Sequence, residues 1–154
     1  MLHKLVIGAL GAMALLFSTS AFAQGTAAEA KAMLEKAVAA VKADKAKALD
    51  MFNKSESGFL DRDLYPFCFN ISDGKAVAGG SAASRKLIGT DVRTLKDSTG
   101  KAFGVDLYAA AAKEGQIIEV SYMFPKPGDN TTPVQKVSFV TRVGDLGCGV
   151  GYYK

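Results

Sequence analysis

The chain has 154 residues, 49% of them hydrophobic and 22% charged, with one histidine, two cysteines and no tryptophan. That length suits one domain of about 100–200 residues, and the composition excludes a largely disordered chain. Its 19 basic and 15 acidic residues give a formal charge of +4 and are interleaved with no basic cluster, so no nucleic-acid partner is expected.

The first 23 residues read as an export signal. His3 and Lys4 form a short basic head, Leu5 to Phe17 an apolar run, and Ala21-Phe22-Ala23 the small-residue pattern that precedes cleavage, expected after Ala23. The run is shorter than the ~20 residues of a membrane span, so a periplasmic or secreted protein is expected. Cleavage removes the only histidine, which excludes a Ser-His-Asp triad, a Cys-His pair and a histidine metal or haem site. Cys68 and Cys148 both remain. In an exported chain an even count points to one bridge, with two buried free thiols as the alternative.

From residue 24 to 51 the chain is alanine-rich and has no aromatic side chain. Thr26 with Glu29 spells a capping box, and Leu34, Val38, Val41, Leu49 and Phe52 recur at helical spacing, which predicts one long amphipathic helix of about 25 residues. After a polar break at 53–58 the period changes to two. Tyr65, Phe67 and Phe69 alternate with Pro66, Cys68 and Asn70, and Ser72-Asp73-Gly74-Lys75 turns the chain into a short strand at 76–78. The stretch 79–100 reads as loop with one helical turn near Val92 to Leu95. A second helix is predicted over 103–113, stopped by Gly115.

Three strands follow. Over 116–124, Val120, Tyr122 and Phe124 share a face; over 134–143, Lys136, Ser138, Val140 and Arg142 share one face and Val137, Phe139 and Thr141 the other. The last strand, 146–153, carries Gly147, Gly149 and Gly151, a sign that its backbone passes close to something. Antiparallel strands with covering helices make an α+β domain. Asp91 and Asp97 are candidates for a cation, but Asp97-Ser98-Thr99-Gly100 reads first as a turn without calcium-loop spacing, so no metal site is expected.

The order of elements, together with Asp61-Arg62-Asp63-Leu64-Tyr65-Pro66-Phe67-Cys68-Phe69, Asp73-Gly74-Lys75, Leu87-Ile88-Gly89, Leu95-Lys96-Asp97 and Lys136-Val137-Ser138-Phe139-Val140, resembles the single Cache domain of type 2. The resemblance implies a PAS-like five-stranded antiparallel sheet under a long N-terminal helix, and a pocket on one sheet face for a small molecule, often a carboxylate or amine. It makes the first and last strands neighbours, which sets Cys68 beside Cys148. Gly79 stands where many relatives carry a histidine, so any ligand contact made by that histidine is missing. Such domains usually sit between two transmembrane helices of a receptor or kinase, whereas this chain reads as a free-standing exported member.

A small carboxylate needs one cation and a few oriented donors. Lys136, Ser138 and Arg142 on one strand face, Tyr122 on the strand before, and Tyr65 on the first strand are therefore the expected ligand-binding residues. Their solvation on an outer face is the competing reading, because alternation gives relative faces but not which one is covered. No motif joins a nucleophile, base or metal set, so neither an enzyme nor a cofactor is expected. The expected partners are a small-molecule ligand, in particular a carboxylate, and a separate membrane receptor or kinase. A periplasmic protein-interaction subunit without its own ligand, docking through the long helix, is the alternative.

Overall fold

The computed structural model describes residues 23–154, so the expected export signal lies, but for Ala23, outside the described residues. The N-terminal helical region is two helices: α1 spans Ala27–Ala43 and α2 spans Lys45–Lys54. The single helix of about 25 residues expected from periodicity is thus broken at Asp44. This residue is extended (φ −159°, ψ 98°); its N–H closes α1 on the Ala40 carbonyl and its carboxylate accepts the Lys47 N–H of α2. An aspartate that can cap both ways competes with the continuous helical ladder. The Thr26–Glu29 capping box forms as expected.

Five strands make one antiparallel sheet: β1 (Pro66–Asn70), β2 (Ala76–Gly79), β3 (Ile118–Pro125), β4 (Pro133–Val143) and β5 (Leu146–Tyr153), in the order β2-β1-β5-β4-β3. The β1–β2 hairpin turns at Gly74 (φ +74°), with the Asp73 carboxylate accepting the Lys75 N–H. Between β2 and β3 run a short helix α3 (Ala82–Arg85), a 3₁₀ turn at Val92–Thr94 and helix α4 (Phe103–Ala110). Helix α3 was not expected from the sequence. Its signal is short: Ser81 and Ser84 cap each other reciprocally. Helix α4 ends three residues before the expected Lys113, as the N–H groups of Ala111 and Ala112 turn back to the carbonyls of Tyr108 and Ala109.

The sheet is covered on both faces. Against one face lies α1, through Ala30, Met33, Leu34, Ala37 and Val41, together with Ala48 and Phe52 of α2; these meet Ala78, Phe139, Val143 and Val150. Alanine at three of those helical positions lets the helices approach the strands closely. Against the other face lie α4 and the 3₁₀ turn, packing Val92, Phe103, Leu107 and Ala110 on Phe69, Val120, Tyr122 and Val140. Cys68 is directly opposite Cys148 in the β1–β5 register, and a disulfide joins them with both residues buried. No helix among the described residues is long and apolar enough to cross a membrane.

Candidate functional site

The second face holds a small internal cavity of about 40 Å³. Tyr65, Phe67 and Phe69 close it from β1 and its approach, Ala76 and Ala78 from β2, Tyr122 and Phe124 from β3, and Phe103 and Leu107 from α4. Among so many apolar walls one ionisable amine stands out. Lys136 of β4 lines the cavity and is 1% exposed.

The Lys136 Nζ donates to the Tyr65 hydroxyl at 2.8 Å and lies 4.1 Å from the centre of that ring. Phe124 and Tyr153 hold it at 5.2 Å each and Phe67 at 5.9 Å, an aromatic cage within cation–π range. No carboxylate forms an ion pair with it among the described residues. Burial works against the ammonium, yet the Tyr65 and Tyr122 hydroxyls outweigh it and hold Lys136 above its ordinary pKa. Tyr65 shows the complementary effect: burial pushes it up, but the Lys136 charge and hydrogen bond bring it below the usual tyrosine value. Burial raises Tyr122 and Tyr153, with Tyr153 moved far up.

The remaining polar contacts fix this arrangement. Tyr122 and Ser138, opposed across β3 and β4 by way of Val120 and Lys136, join hydroxyls at 2.9 Å, and Phe103 stacks on the Tyr122 ring at 4.4 Å. Tyr153 donates to the Pro125 carbonyl at 2.7 Å, tying β5 to the end of β3. The glycines of β5 are there for room. A Cβ at Gly151 would collide with Lys136 Cε and Ser138 Oγ, one at Gly149 with the Phe67 ring, and one at Gly147 with the Phe69 ring. The close approach expected from those glycines is therefore to the side chains that shape the cavity.

Of the five residues singled out from the sequence, Lys136 and Tyr65 are in contact, Tyr122 lines the same cavity, and Ser138 stands behind Tyr122. Arg142 is not brought to them. It shares the strand parity of Lys136 but lies at the far end of β4, where its Nε donates to the Gly144 carbonyl. At 3.4 Å per residue, six positions of β4 separate the two by roughly 20 Å, so one small ligand cannot bridge them. Sequence reasoning passed over Tyr153, Phe124 and Phe103. Tyr153 shares strand parity with the three β5 glycines, and that was the available signal.

Gly79 has a local explanation. A Cβ there would meet Ser84 of α3 at 2.6–2.8 Å, so the short helix occupies the volume that a side chain at this position would need. The two aspartates considered for a cation are structural. Asp91 caps the 3₁₀ turn and pairs with Arg93, while Asp97 accepts from Thr99, Lys101 and the Met123 N–H and is lowered to about 2, chiefly by the Thr99 hydroxyl. No metal-ligating cluster occurs among the described residues.

A five-stranded antiparallel sheet in the order 2-1-5-4-3, with its helices on both faces and a cavity on the face opposite α1, defines the PAS-like class of domains. Within that class the Cache domain family model dCache_2 matches residues 23–154, and the chain belongs to the Cache domain family. Its fold is similar to that of three solved structures. The first is a methyl-accepting chemotaxis protein from Vibrio parahaemolyticus RIMD 2210633 (TM-score 0.64, 23% identity, covering 82% of this chain and 86% of that one). The second is a periplasmic sensor domain of a chemotaxis protein (0.60, 24%, 80% and 86%). The third is a Cache chemosensory domain described for its carboxylic acid recognition (0.58, 23%, 80% and 84%). No curated protein matches the chain.

Proposed function

We propose that the chain is an extracytoplasmic sensor-type domain that binds a short monocarboxylate in the Lys136 cavity and acts with a separate membrane receptor or kinase. One observation carries this reading: a fully buried lysine with no carboxylate partner among the described residues, set in an apolar cavity. A cation taken out of water without an anion is costly, and a ligand carboxylate would offset that cost. The cavity limits the size of the ligand. On this scale a water molecule needs about 10–15 Å³, so about 40 Å³ admits a molecule of a few heavy atoms such as acetate or propionate. A single cation in a dry site disfavours dicarboxylates. Lys136 supplies the charge, Tyr65 a hydrogen bond beside it, and Tyr122, fixed by Ser138, a wall of the cavity. Arg142 has no part in this site. Export with cleavage after Ala23 and the likeness to a periplasmic sensor domain support the location.

Titration calorimetry and thermal shift with acetate, propionate, succinate and methylamine test the proposal. Binding of acetate or propionate that stabilises the protein, and that is lost in Lys136→Met, is expected. Binding of methylamine instead of the acids, or acid binding that survives Lys136→Met, would overturn it.

A further inference from the structure

The hydrogen-bond pattern around Tyr65 is one-sided. Its oxygen accepts from Lys136 Nζ at 2.8 Å. If Tyr65 were to donate, the nearest acceptor is the Tyr153 hydroxyl at 3.4 Å, which spends its own proton on the Pro125 carbonyl. A buried phenol with so poor an acceptor is badly placed, whereas a phenolate needs no acceptor. Lys136 presents the matching problem, a buried ammonium without a carboxylate. The two problems solve each other when the proton of Tyr65 is absent.

Resting on the carboxylate reading, we infer that the empty cavity is held neutral by the Lys136 ammonium and the Tyr65 phenolate, and that a carboxylate enters together with one proton. On binding, the ligand carboxylate becomes the counter-charge of Lys136, Tyr65 Oη takes one proton from solvent, and the resulting phenol donates to the ligand. No bond other than O–H forms and none breaks. The groups facing the pair are few. They are the hydroxyls of Tyr122 on β3 and Tyr153 on β5, the Ser81 hydroxyl beside Tyr65, and the more distant carboxylate of Asp63. Tyr122 and Tyr153 are themselves raised by burial and stay protonated. Helix α4, β2 and the 3₁₀ turn contribute only apolar side chains to the cavity, and α3 contributes Ser84. The pair therefore titrates as one unit. Because the occupied site holds one proton more than the empty one, affinity falls as pH rises, by about tenfold per pH unit through the window in which the empty pair is singly deprotonated.

The test has a ligand-free arm and a ligand arm. In the ligand-free protein at neutral pH, near-ultraviolet absorption should show one tyrosinate, absent from both Tyr65→Phe and Lys136→Met; the second variant replaces a buried charge by an apolar chain of similar volume and is expected to fold. In the ligand arm, calorimetry with acetate in buffers of different ionisation enthalpy should report uptake of about one proton, with loss of the tyrosinate signal. No tyrosinate in the wild-type protein, or acetate binding without proton uptake, would overturn the inference. A tyrosinate present without binding of any carboxylate overturns the functional reading and upholds the ion pair.

Discussion

The disulfide between Cys68 and Cys148 closes a loop with a sequence separation of 80, and it ties together the two strands that carry most of the cavity wall. Reducing it releases that loop in the unfolded chain. The chain-entropy relation for a separation of this size gives about 4.5 kcal/mol at 25 °C. For a domain of this length such a loss corresponds to a fall in melting temperature of roughly 10–20 °C. The clean comparison is wild-type protein melted oxidised and then fully reduced, followed by circular dichroism, because both states keep the buried sulfur atoms. The Cys68→Ala, Cys148→Ala double variant should melt slightly below the reduced protein, since it also loses those atoms from the core. A reduced protein melting within a few degrees of the oxidised one would refute the argument, by showing that the unfolded chain gains little freedom from the bond's loss.

Gly151→Ala places a methyl group against Lys136 and Ser138, and should cost about 1–3 kcal/mol by overpacking while abolishing acetate binding; chemical denaturation and calorimetry read the two effects separately. Asp97 lies near 2 in the folded protein against 3.8 for the free side chain, so its contribution to stability is complete above about 4 and is lost as pH falls toward 2. Asp97→Asn should therefore narrow the gap in stability between neutral and acidic solution, and parallel denaturation curves at the two pH values would show it. Asp44→Ala removes a helix cap and should cost about 1 kcal/mol without affecting ligand binding.

Much of the fold was legible because its periods are clean. Leu34 and Val41 on the helix, and the alternation through Phe67, Phe69, Val137 and Phe139, follow directly from the burial of one face. The break at Asp44 was less legible, since a capping aspartate within an alanine-rich run looks like any solvated residue until its φ and ψ are known. Helix α3 is four residues long, too short for any periodicity, and only the Ser81–Ser84 pair marks it. For the site, alternation put Lys136, Ser138 and Arg142 on one parity. It had no term for distance along the strand, and that separation removes Arg142 from the cavity. The pairing of Lys136 with Tyr65 joins β4 to the approach of β1 across β5, a contact between residues 71 apart that no local pattern encodes.

The account stands on the buried Lys136 ammonium as the anchor of a small acid. The most direct measurement is the crystal structure of the protein grown with acetate, read at this cavity and compared with the Lys136→Met protein grown in the same way. The account predicts acetate in the wild-type cavity with a carboxylate oxygen at hydrogen-bond distance from Lys136 Nζ and the Tyr65 hydroxyl beside it, and no acetate there in the variant. A wild-type cavity closed on its own side chains at saturating acetate, or acetate held equally well without the lysine, would contradict it.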